Sequence, residues 1–254
     1  KTPNDIKKIE DSLQWKITQV SGESVGEWKI NASGPHTVYV VLDVPKAPWY
    51  SDAESHPWVK AIDFALVAGK MDKKISADSA IAAVTSFLHS GHGMKYDTIS
   101  GAPHFATSHL GGTFKLTNYI DKMGNIVNCY DQSSAVTVLS RLIGANSSYR
   151  FMDPFGYINP TYLVGITSLC NNPFFEGAGQ PQLVDVDAAW RTSFGNHAFV
   201  TLAGKFDDAT GGPYLGTDTE AQYINNAIDK STPAEAASAG DVGDISDGNV
   251  TGIE

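Results

Sequence analysis

"GNIVNCYDQSSAVTVLSRLIG", residues 124–144, is the stretch from which the fold is read. Ala135, Val138, Leu139 and Leu142 fall at i, i+3, i+4 and i+7, one apolar stripe of an α-helix. Asn128 is a preferred N-cap, and Asp131 stands three residues on, where a carboxylate returns a hydrogen bond to the cap. Arg141 suits the last turn and Gly144 the position past it. In this register Cys129 is the first helical residue, where the positive end of the helix dipole favours the nucleophilic thiolate. The competing reading is packing, because free cysteine is among the most often buried residue types. A nucleophile needs a base, and the base needs a group that orients it.

"SFGNHAFVTLAGKFDDATGGP", residues 193–213, offers both. His197, Phe199 and Thr201 share one face of an alternating strand, and "KFDDAT" returns as a second strand after Ala203-Gly204. A two-residue loop sets Leu202 opposite Lys205, Phe199 opposite Asp208 and His197 opposite Thr210. Asp208 is then diagonal to His197 on the same face, within about 7–8 Å at the backbone, while Asp207 points the other way. A loop one residue longer or shorter exchanges the two acids, so the register alone leaves both open.

Outward from these motifs, 254 residues suffice for a well-buried core. The chain carries 18 Lys and Arg against 28 Asp and Glu with no basic tract, which argues against a nucleic-acid partner. No apolar run is long enough for a membrane span. The two cysteines, Cys129 and Cys170, are too few for a disulfide scaffold, and Cys170 reads as structural. "HTVYVVLDV" reads as a strand ended by Pro45. "SHPWVKAIDFALVAG" reads as a helix stopped by Gly69, and "SADSAIAAVTSFLHSGHG" as a helix capped by Ser76 with Ile81, Val84, Phe87 and Leu88 inward. Residues 94–123 read as loop and short strand. Strands broken by Gly and Pro follow Gly144, and "TDTEAQYINNAID" reads as a last helix.

This order is α+β, with three expected regions: a β-rich extension at 1–48, a catalytic domain at 49–230, and a solvated, flexible acidic tail or linker at 231–254.

A cysteine heading a helix, then "NHAFV" on a strand, then "DAT" on the next, in that chain order, resembles the transglutaminase-like superfamily of papain-like cysteine enzymes. The resemblance covers roughly residues 76–215. It implies a helix-start Cys packed on an antiparallel sheet, with Cys129 as nucleophile, His197 as general base and acid, and Asp208, through the "DAT", as the orienter. The implied reaction is acyl transfer on the amide bonds of a protein or peptide substrate without a cofactor, of the thiol protease or glutamine deamidase type, with cross-linking as the alternative. Asn128 precedes the cysteine and Tyr130 follows it, where the family often has Gly before the cysteine and a Trp nearby. The backbone N–H of Cys129 is one expected oxyanion donor, Asn118 or Tyr119 is the expected second, and Tyr130 and His104 are expected at the substrate cleft. The absent initiator Met and the linker-like tail fit a secreted or delivered bacterial effector.

Two rival readings stand beside this one. His89, His92, His104 and His109 are clustered enough to suggest a metallohydrolase, but no HExxH or Cys pair accompanies them, and no metal site is assigned. Trp15, Trp28, Trp49 and Trp58 suggest a non-enzymatic binding module, although Trp at such places more often packs a core.

Overall fold

The computed structural model describes residues 4–21, 24–50, 57–231 and 242–254. The chain opens with a two-stranded ribbon. β1 (Lys7–Leu13) pairs antiparallel with β4 (Ser33–Val40), and further out β2 (Lys16–Ser21) pairs with β3 (Ser24–Lys29). Its base is stitched to the body: Ile6 is buried and exchanges backbone hydrogen bonds with Lys73 and Lys74, and Tyr39 donates to Asp63. Trp49 is fully buried, donates Nε1–H to the Val138 carbonyl at 2.9 Å and meets Trp58 edge-on, which makes it a core residue. Trp15 is half-exposed, with Nε1 on Ser33, and the side chain of Trp28 lies outside the described residues.

The first expected helix is α1 (Val59–Asp63), prolonged by a π-helical turn over Phe64–Ala68 whose closing bond runs from Gly69 N–H to the Phe64 carbonyl. α2 (Ala77–Ser90) is capped by Ser76 and buries Ile81, Val84 and Leu88. Residues 94–123 contain β5 (Lys95–Tyr96), β6 (Ala106–Ser108), β7 (Gly111–Phe114) and also α3 (Leu116–Ile120), a helix the sequence reading did not expect. Five residues are too few to show a helical period. After β8 (Ile126–Val127) come α4 (Cys129–Leu142), β9 (Ser148–Asp153), α5 (Phe175–Ala178), β10 (His197–Leu202), β11 (Lys205–Asp208), β12 (Tyr214–Leu215), α6 (Glu220–Ala227) and β13 (Asp244–Ile253).

Seven strands form one sheet in the order β12-β11-β10-β9-β13-β7-β6, antiparallel except where β13 runs parallel to β7. The fold is thus mixed α+β, and α4 packs against both β10 and α2, so its apolar stripe and most of its other faces are buried. Among the described residues no helix is long and apolar enough to cross a membrane.

The expectation of a flexible acidic tail from 231 onward fails for residues 244–253. Asp244–Gly248 pair with β9 and Asn249–Ile253 pair with β7, so β13 joins the two halves of the sheet. Two glycines and five polar residues hid a strand pattern in "DISDGNVTGI". One glycine is required by contact, since a Cβ on Gly248 would sit 2.3 Å from Tyr149 Cδ1 and 2.8 Å from the Leu110 carbonyl oxygen. A chain ended at residue 243 is therefore expected to lose its cooperative urea transition, and Gly248→Val to cost about 1–3 kcal/mol or more. Retention of the full transition by the shortened chain, followed by circular dichroism, would show that β13 is dispensable.

Candidate active site

The helix start is held by two side chains. Asn128 Oδ1 accepts from the N–H of Tyr130 at 2.9 Å and of Asp131 at 3.1 Å, and Asp131 Oδ2 accepts from the Asn128 N–H at 3.1 Å, completing the capping box. The cap takes these N–H groups, and that of Cys129 has no partner among the described residues. The buried Asp131 carboxylate also accepts from the backbone of His104, Phe105 and Ala106 at 2.7–2.9 Å. Burial pushes its pKa up, against these N–H groups. Asn128 Nδ2 donates to the Gly101 carbonyl at 2.9 Å. Two polar side chains therefore fix both the helix start and the 101–106 loop that passes over it.

The hairpin has the register expected from its turn. Val200, Thr201 and Leu202 face Asp207, Phe206 and Lys205, and Ala203 and Gly204 both have positive φ, +50° and +77°. His197 and Asp208 consequently meet: Nε2 lies 2.8 Å from Asp208 Oδ2, and both residues are almost wholly buried. Asp208 Oδ1 accepts from the Thr210 N–H at 2.7 Å, and Oδ2 from the Tyr223 hydroxyl at 2.9 Å. Burial raises the pKa of Asp208, but the His197 charge and these donors outweigh it and hold the carboxyl below its ordinary value. Burial likewise disfavours the imidazolium, yet Asp208 and then Cys129 act in the opposite direction and leave His197 raised. Nδ1 has no hydrogen-bond partner among the described residues, and Cys129 is the neighbour that, besides Asp208, favours the protonated ring. Phe194 stacks on the ring with centroids 5.2 Å apart and planes at 2°, and Phe155 lies at 4.6 Å. The structure thus brings Cys129, His197 and Asp208 together, with Cys129 only 4% exposed.

Asp207 faces away from this cluster and is buried, with Oδ1 lacking a partner. Burial, then Asp78 and Asp208, raise its pKa to about 7. Tyr130 donates its hydroxyl to Asn196 Oδ1. His104 is exposed in the loop tied to Asp131, with Nε2 3.5 Å from Asp97 Oδ2. Tyr119 is fully buried and spends its hydroxyl on Gln132 Oε1, among Phe105, Phe114 and His92. A hydroxyl so engaged is not offered to a substrate carbonyl. Asn118 lies half-buried on α3.

Two of the four histidines of the metal reading are held by backbone. His89 Nδ1 meets the Ala209 carbonyl oxygen and His92 Nε2 that of Tyr119, and among the described residues no group of three His, Cys, Asp or Glu is placed to hold a metal. Cys170 is buried, unpaired and raised by burial to about 11. Sequence reasoning missed Tyr223, Phe155 and Phe194, whose approach depends on tertiary packing. Asn196 carried one signal, its place directly before His197.

Comparison with family models, curated proteins and solved structures finds no match to this chain.

Asp207 generates a prediction of definite sign. Its folded pKa is raised, so the folded protein binds this proton more tightly than the unfolded chain does. Its cost to stability is absent below the ordinary aspartate pKa of 3.8 and grows as pH rises to about 7. Asp207→Asn is expected to melt several degrees higher than the unaltered protein near pH 8, with the difference shrinking toward pH 4. A melting temperature lower at every pH would show that the carboxylate has a partner in solution.

Proposed function

We propose that the protein is a cysteine-dependent acyl-transfer enzyme acting on amide bonds, with Cys129 as nucleophile, His197 as general base and acid, and Asp208 as the group that orients the imidazole. The observation carrying this reading is the buried 2.8 Å bond from Asp208 to one imidazole nitrogen, with the thiol of a helix-start cysteine acting on the same ring. Chain order and the "NHAFV" and "DAT" motifs support a transglutaminase-like core, as do the α+β class and the sheet beneath α4.

In this reading Sγ of Cys129 attacks the amide carbonyl carbon and forms a tetrahedral oxyanion. His197 delivers a proton to the departing nitrogen as the C–N bond breaks, leaving a thioester. Water then attacks the thioester carbon, His197 takes a proton from it, and the C–S bond breaks to return the thiolate. An amine in place of water gives cross-linking by the same steps. We favour hydrolysis, as in a protease or deamidase, over cross-linking.

Iodoacetamide labelling tests the nucleophile, with peptide mapping by mass spectrometry. Cys129 is expected to alkylate near pH 6 at least about tenfold faster than an unstructured cysteine peptide, and His197→Ala to remove the advantage. Labelling no faster than the peptide, or amidase activity undiminished in Cys129→Ala, would overturn the assignment.

A further inference from the structure

The steps above need a donor for the tetrahedral oxyanion besides the Cys129 N–H, and the side chains expected from sequence do not supply it. Tyr119 is committed to Gln132 in the core, and no hydrogen bond ties the Asn118 side chain, on α3, to the site among the described residues. A different amide stands at the opening.

Asn196 immediately precedes the histidine, Tyr130 immediately follows the cysteine, and their side chains meet across the gap between β10 and α4. Both are half-buried, whereas Cys129 and His197 behind them are buried, so the pair forms the rim of the site. The Tyr130 hydroxyl donates to Oδ1, which fixes which end of the amide faces inward to the tyrosine. Nδ2 is left with no partner among the described residues and reaches solvent. Tyr130 is itself packed beside Phe151 and His109, which limits its own movement. An amide held by one end and free at the other is a preorganised donor, and such donors stabilise charge that develops in a transition state without reorganising.

We propose that Asn196, held in place by Tyr130, donates its Nδ2–H to the oxyanion formed on Cys129 and completes the hole begun by the Cys129 N–H. The proposal rests on the acyl-transfer reading. Asn196 is then a catalytic residue and Tyr130 a positioning residue.

Two reagents separate this role from a structural one. Acylation by p-nitrophenyl acetate forms an Sγ–C bond through an oxyanion and expels p-nitrophenolate, whereas iodoacetamide displaces iodide from an sp³ carbon with no oxyanion at all. The ratio of the two rates at Cys129 therefore reports the hole independently of how reactive the sulfur is. Asn196→Ala is expected to lower that ratio by roughly 10²-fold, the usual loss for one such donor. Tyr130→Phe keeps Nδ2 and removes only its anchor, so a loss about tenfold smaller is expected. Both variants delete the same hydrogen bond, so a purely structural bond predicts equal losses. Equal losses, or an unchanged ratio in Asn196→Ala, would overturn the proposal while leaving the nucleophile assignment standing. Failure of the unaltered protein to acylate at Cys129 would overturn both.

Discussion

A buried carboxylate sets the terms for this structure. Taking Asp208 out of water costs several kcal/mol unless its oxygens are satisfied, and the protein meets that cost with donors from three places: the imidazole of His197 on β10, the Thr210 backbone past β11, and the Tyr223 hydroxyl on α6. Each donor is positioned by a different part of the chain. The hairpin turn must be two residues long, α6 must lie across the sheet, and Phe155 and Phe194 must exclude water from the ring. Replacing any of these partners leaves a charge buried and incompletely paired, which is far more costly than losing an exposed ion pair.

Asp131 plays the corresponding part at the other half of the site. It closes the cap of α4 and gathers the backbone of residues 104–106, so the segment carrying Cys129 is tied to the loop above it through one carboxylate. Helix α4 is buried on most of its faces, packed between α2 and β10, which accounts for a polar yet buried run such as Gln132, Ser133 and Ser134. Gln132 shows how that polarity is used: its amide donates to the Leu88 and Ala209 carbonyls and accepts from Tyr119, joining α2, α4 and the end of the hairpin.

The local features were legible in the sequence because they are local. The Asn128 cap, the Asp131 box, the Ser76 cap and the Ala203-Gly204 turn all follow from short-range backbone chemistry, and a two-residue turn gives the register that carries Asp208 to His197, the acid that the "DAT" motif favoured over Asp207. What was not legible depends on partners far along the chain. The strand over 244–253 reads as polar and glycine-rich because Gly248 must admit Tyr149, a reason visible only once β9 lies beside it. Asn196 and Tyr223 owe their place to contacts 66 and 15 residues away, and Tyr119, read as a site residue, is drawn into the core by Gln132.

The central claim is that Asp208 holds the imidazole protonated and oriented beside Cys129. The direct measurement is nitrogen-resolved NMR of the His197 ring between about pH 5 and pH 9, with the Asp208→Asn variant beside it. The account predicts that His197 stays doubly protonated well above the ordinary histidine pKa of 6.5, and that Asp208→Asn brings its titration down. A His197 that titrates near 6.5 in both proteins would contradict it.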